Sequence, residues 1–148
     1  MSMLTYRQWD AIADSYIPLL FIIVLSHLFW LWRHRRRDES AARLVYLLIA
    51  SGFVYSLMAF DLMWPVWPRF GLDYSTHTAA ALVLVFYLGS IGGVWMISVT
   101  LSFLLYVLLM LYQDYHSLAD VMTTAVPVSL VLWILLRRFV SSPASRSN

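Results

Sequence analysis

The sequence predicts an all-α fold, an integral membrane bundle of about five transmembrane helices, and three observations predict it. Of 148 residues, 61% are apolar and only 12% are charged, where globular chains carry about a quarter charged residues. Mean hydropathy is +0.74. The apolar residues also gather into runs close to the roughly 17–25 residues needed to cross a hydrocarbon core of about 30 Å. Much of the surface is therefore matched to lipid rather than to water. All ten basic residues are Arg, set against eight acidic ones, and the formal net charge of +2 gives no reason to expect a nucleic-acid partner. The absence of cysteine excludes disulfides, iron–sulfur clusters and thiolate zinc sites, leaving His, Asp and Ser to carry any chemistry.

The first span runs from about Tyr16 to Trp32. The polar, acidic stretch Arg7 to Asp14 before it has no basic n-region, and no small-residue cleavage site follows, so the segment is expected to stay as an anchor. The second span runs from about Leu44 to Trp64, with Asp61 near its end. The third, from about Thr78 to Ser90, meets a tight break at Gly89, Gly92 and Gly93 before the fourth, from about Val94 to Tyr112. The fifth covers about Val121 to Leu136, with Pro127 expected to kink it. With no repeat and no linker, residues 1–140 read as one domain, followed by a polar tail, Ser141 to Asn148, expected to be disordered.

Loops retained in the cytoplasm are enriched in Lys and Arg. Arg33, Arg35, Arg36, Arg37 and Arg43 lie between the first two spans, and Arg137, Arg138 and Arg146 follow the last. Five crossings place both groups on one side, so the N-terminus is expected outside and the C-terminus in the cytoplasm. The opposite side receives Arg7 and Arg69 together with Asp10, Asp14, Asp61, Asp73, Asp114 and Asp120. Trp9, Trp64 and Trp67 then mark the outer interface, and Trp30, Trp32, Trp95 and Trp133 the inner one. Short loops and a compact chain fit a bacterial inner membrane, with the outer end facing the periplasm.

Ionisable groups beside membrane spans are costly, so their placement points to function. Two clusters fall on the outer side: Asp73 to Thr78 at the start of the third span, and Asp114 to Asp120 at the start of the fifth. His116 and Asp120 are four residues apart, which on a helix puts them on one face and lets the carboxylate accept the imidazole N–H. The second ring nitrogen is then free to attack an electrophile. Ser75 or Thr76 is placed to cap the third helix, setting His77 in its first turn as a general acid. Both clusters open helices, whose N-termini favour phosphate.

Tyr74-Ser75-Thr76-His77 resembles the Pro-Ser-Gly-His motif of the type 2 phosphatidic acid phosphatase superfamily, which includes sphingomyelin synthase-like phosphotransferases with a Ser-Gly-His-Thr form. His116 to Asp120 resembles that family's closing His-x-x-x-Asp motif, and the resemblance covers about residues 73–125. It implies a helical core in which His116 is the nucleophile that forms a phospho-histidine, Asp120 orients it, and His77 protonates the leaving oxygen. Ser75, Thr76 and Arg69 would then bind a phosphorylated membrane lipid, a phosphomonoester or diphosphate, without a cofactor. The family's first motif, Lys then six residues then Arg-Pro, is absent, and Met110 stands where an Arg precedes the closing His by six residues. Arg69 and Arg7 are the outer cations left to replace them.

Other readings stay open beside this one. A non-catalytic lipid- or partner-binding membrane subunit, single or homo-oligomeric, would keep the scaffold without the phosphate clamp. Asp73, His77, His116 and Asp120 together are also a donor set of the kind that holds zinc or another divalent ion. Interfacial histidines that merely satisfy helix ends are the plainest account. The Arg cluster between the first two spans serves either orientation, the simpler account, or anionic headgroups. His27 reads as a histidine bonded to a neighbouring helix, Asp61 as either a site group or an interfacial carboxylate, and Tyr106, Tyr112 and Tyr115 as helix-packing anchors.

Overall fold

The computed structural model describes residues 6–140, which form five α-helices and one short 3-10 turn. The expected disorder of Ser141 to Asn148 lies outside the described residues. The helices are α1 (Tyr6–Arg33), α2 (Arg37–Met63), α3 (Thr76–Gly89), α4 (Val94–Tyr112) and α5 (Leu118–Phe139), with the 3-10 turn at Pro68–Phe70. Four of them, α1, α2, α4 and α5, are long and apolar enough to cross a membrane. The fold class is thus all-helical, as the composition predicts. The boundaries differ from the expected spans chiefly at α1, which begins ten residues earlier because the polar stretch before Tyr16 is helical too.

α3 is the exception to the spanning lengths. Its 14 residues rise only about 21 Å at 1.5 Å per residue, short of a hydrocarbon core of about 30 Å. It is apolar on every side, and a helix of that kind has to be enclosed. Thr78, Ala79, Ala81, Leu82, Val83, Leu84, Val85, Tyr87 and Leu88 are all buried. α3 packs against each of the other four helices, which follow one another around it in the order α4, α1, α2, α5. Those four keep exposed apolar faces, including Ile22, Leu48, Leu105 and Leu130, which suit lipid.

Stacked rings of Tyr16 and Tyr106, 4.3 Å apart, and a 3.1 Å hydrogen bond between the Tyr16 and Ser102 hydroxyls join α1 to α4. The α3–α4 turn uses Gly92 and Gly93 at φ of 86° and 57°, a region that disfavours residues with a Cβ. Gly89 instead closes α3. α5 runs as one element across Pro127, as α1 does across Pro18.

The segment between α2 and α3 folds onto the bundle. Asp61 Oδ1 accepts the Val66 and Trp67 N–H groups at 2.8 and 3.0 Å, so this carboxylate ties the loop to the end of α2. The Tyr74 hydroxyl donates to the Val54 carbonyl at 2.9 Å, and its ring meets Trp67 edge-on. Burial pushes the Tyr74 phenol up to about 12.

If α3 is the enclosed centre, Ala79→Leu, at a fully buried site, costs about 1–3 kcal/mol through overpacking. Leu130→Ala on the exposed face of α5 costs little. Unfolding of the purified protein by titrating dodecyl sulfate into mild micelles measures both, and an Ala79→Leu protein as resistant as wild type would remove α3 from the centre.

Candidate functional site

The two motif-bearing segments do come together, through bonds that leave little of their chemistry free. Ser117 caps α5: its Oγ accepts the Asp120 N–H at 3.2 Å, while Asp120 Oδ2 accepts from the Ser117 N–H and hydroxyl at 2.8 and 2.7 Å. This reciprocal pattern is a capping box. Asp120 Oδ1 accepts the Asp73 backbone N–H at 2.7 Å, which links the start of α3 to the start of α5. Both carboxylate oxygens are therefore engaged by groups other than His116. The expected Asp120 to His116 hydrogen bond is not formed, because His116 precedes the N-cap Ser117 and stands outside the helix that the four-residue spacing presumed.

Ser75 is fully buried and caps α3. Its Oγ accepts the Thr78 N–H at 3.3 Å and lies 2.8 Å from the Thr78 hydroxyl, and its own N–H donates to Thr124 Oγ1 at 3.1 Å. Ser75 therefore acts as the cap that the sequence allowed it to be, with its hydroxyl turned into the protein. Thr76, half-buried, begins the helix, and its N–H bonds the Tyr74 carbonyl.

The two imidazoles have different surroundings. His77 is exposed and lines a small pocket of about 50 Å³ with Asp14, Tyr106, Met110 and Tyr115, on the α1 and α4 side of the bundle. The Tyr115 hydroxyl donates to Asp10, tying the α4–α5 turn to α1. His116 turns toward Asp73, with Nδ1 4.0 Å from Oδ2, and its own side chain is only 12% exposed. At that distance the two are an ion pair when the ring is protonated, not a hydrogen bond. Among the described residues, His116 Nδ1 and both amide atoms of Gln113 are buried with no hydrogen-bond partner.

Arg69 is exposed in the 3-10 turn and Arg7 is exposed near the start of α1. Among the described residues neither forms an ion pair. Met110, where the resemblance calls for Arg, is buried in a small apolar cluster with Ala13, Ala81 and Tyr106. No group of three or more His, Cys, Asp or Glu side chains among the described residues is placed to hold a metal ion, which corrects the four-ligand reading of Asp73, His77, His116 and Asp120. The reason is geometric: Asp120 points at backbone N–H groups, and His77 opens toward α1.

Thr124 and Gln113 are the residues of this end that the motif reading passed over. Thr124 was within reach of a spacing argument, lying four residues after Asp120 and so on the same helical face. Gln113 carried no such signal, since its burial follows from the turn around it. Comparison with protein-family models, with curated proteins and with solved structures finds no match to this chain.

Because Asp120 closes the joint with charge-assisted bonds, Asp120→Ala is expected to lower stability by about 2–3 kcal/mol. Asp73→Ala keeps the bonded N–H and removes a side chain that is 73% exposed, so it should change stability by less than about 0.5 kcal/mol. Unfolding curves of the two purified variants check this. An Asp120→Ala protein of wild-type stability would return that carboxylate to the list of free groups.

Proposed function

We propose that this chain is a non-catalytic membrane subunit that binds a lipid or a partner protein through the end bearing the α4–α5 turn. The observation that supports it is the set of unpaired polar atoms at that turn, on Gln113 and His116. Buried polar groups are almost always hydrogen-bonded, and each exception calls for a reason. A docked group that supplies both a donor and an acceptor satisfies an amide and a ring nitrogen together. The surrounding carboxylates of Asp10, Asp14, Asp73 and Asp114 make this rim acidic. An acidic rim disfavours phosphate, whose transfer depends on cations that neutralise developing negative charge.

The phosphatase reading keeps one specific support. His116 Nδ1 beside the Asp73 carboxylate is a His–Asp pair, with Asp73 rather than Asp120 as the orienting partner. Attack on phosphorus by His116 Nε2, with His77 as acid, would use that pair on a lipid phosphomonoester or diphosphate. It would do so with Arg69, eight residues before His77, as the candidate cation.

We place the subunit in a bacterial inner membrane, five-helical, with this end periplasmic. The Arg residues of the α1–α2 turn and of the end of α5 support that orientation. Cysteine introduced at Asp114 should react with a membrane-impermeant maleimide in intact cells, while one at Arg35 should react only after lysis; the reverse pattern would invert the protein.

Two measurements separate binding from catalysis. Phosphate release from a panel of lipid phosphates should stay at the blank for wild type and for His116→Ala, and release that only wild type shows would establish the phosphatase. Gln113→Leu removes a buried amide without a partner, so it should stabilise the isolated protein by about 1–3 kcal/mol. Destabilisation would mean that the amide is already satisfied within the chain and is not held in reserve for docking.

A further inference from the structure

At the opposite end, the turn between α1 and α2 forms an open basin of about 660 Å³ lined by Trp32, Arg33, Arg35 and Arg37. Glu39 is engaged by Arg36 and by the buried Arg43, the latter at 3.1 Å, so it does not neutralise the three lining Arg residues. Asp38, exposed on the first turn of α2, is the one other carboxylate nearby in sequence. α2 itself opens here, after Arg36, without a side-chain cap.

A second cavity lies further along the same two helices, with lining residues of its own. Between α1 and α2 lies an apolar groove of about 300 Å³, whose walls include Phe21, Leu25 and Leu28 on α1 and Leu44, Leu48 and Tyr55 on α2. Trp32 follows Leu28 by four residues and Leu25 by seven, and Leu44 follows Arg37 by seven. At 3.6 residues per turn these spacings keep basin and groove on the same helical faces. The Phe29 and Trp32 rings lie 6.1 Å apart, and the Arg37 guanidinium stands over Trp32 at 5.7 Å, so aromatic surface backs the cations of the basin.

We propose that the α1–α2 hairpin is a binding site for one anionic glycerophospholipid, its phosphodiester held by Arg33, Arg35 and Arg37 and an acyl chain lying in the groove. Charge complementarity and the amphipathic order of the surface commit it to this occupant: cations at the interface, an aromatic ring beneath them, and aliphatic walls below. Orientation alone needs cations on this side but no groove. The inference rests on the membrane location and not on any role of His77 or His116.

The test uses the purified full chain in a neutral detergent, with native mass spectrometry reading lipids retained during titration with phosphatidylglycerol, phosphatidylcholine or inorganic phosphate. One phosphatidylglycerol per chain should be retained at concentrations where phosphatidylcholine is not. Arg35→Gln should weaken it about fivefold, the value of roughly one interfacial cation, while Arg35→Lys should keep most of the affinity. Leu48→Trp fills the groove and leaves every Arg in place, and it should weaken phosphatidylglycerol at least as much. Equal retention of the two lipids would overturn the site. So would inorganic phosphate displacing the lipid at equal concentration, or Leu48→Trp having no effect. A dimer that Leu48→Trp abolishes would assign the groove to a second copy of the chain and likewise end the lipid reading.

Discussion

The enclosure of α3 is the constraint on which the other features rest. A helix of 14 residues that is apolar on every side is shorter than a hydrocarbon core and cannot sit at an interface, where one face would have to be polar. It is stable only when other helices supply its surroundings and when both its ends find polar partners inside the protein. Four longer helices supply the first requirement. The second explains much of the local chemistry, because a short central helix leaves its termini below the membrane surface, where unsatisfied backbone groups are expensive.

At the N-terminal end of α3 that cost is offset by side chains of the two motif segments. Ser75 caps the helix, Thr124 receives the Ser75 N–H, and Asp120 receives the Asp73 N–H while closing its own capping box. One carboxylate thus stabilises two helix starts at once. Removing it leaves the Asp73 and Ser117 N–H groups without that acceptor. In three dimensions these bonds hold the two motif segments together as a joint. At the other end of α3 the same need is met by Ser90, whose hydroxyl donates to the Tyr87 carbonyl and receives Arg43 at 2.7 Å. Arg43 also lies over the Tyr87 ring, and the Tyr87 hydroxyl meets His27 at 2.9 Å, so the intramembrane histidine is accounted for by a neighbouring helix.

The fold was largely legible in the sequence because length and apolarity decide it: a run of about twenty apolar residues has few alternatives to a spanning helix. The Gly92-Gly93 break and the N-cap at Ser75 were legible for the same reason, since each is a local rule about backbone sterics or unpaired N–H groups. The early start of α1 was not, because polar residues before Tyr16 give no apolar signal while α1 continues through them to a contact between Asp10 and Tyr115. The site was legible only in part. Spacing correctly brought the Asp73 and Asp120 segments to one place. It failed on which atoms face each other, because the i to i+4 argument for His116 and Asp120 assumes a helix already begun at His116, whereas α5 begins at Leu118.

The two ends of the bundle therefore differ in what their charges are free to do. At the α1–α2 turn, Arg33, Arg35 and Arg37 line a basin whose neighbouring carboxylate, Glu39, is already paired. At the α4–α5 end, Asp120 and Asp61 are spent on backbone N–H groups, and among the described residues the buried side-chain atoms left without a hydrogen bond are the Gln113 amide and His116 Nδ1. Free cations attract anions over a distance of about 10 Å at moderate salt, whereas a buried amide recognises only a group that enters and aligns with it. The proposed lipid site and the proposed docking site thus call on different physics, long-range charge at one end and shape with hydrogen bonding at the other. That division follows from burying one short helix, whose two termini had to be satisfied by different residues.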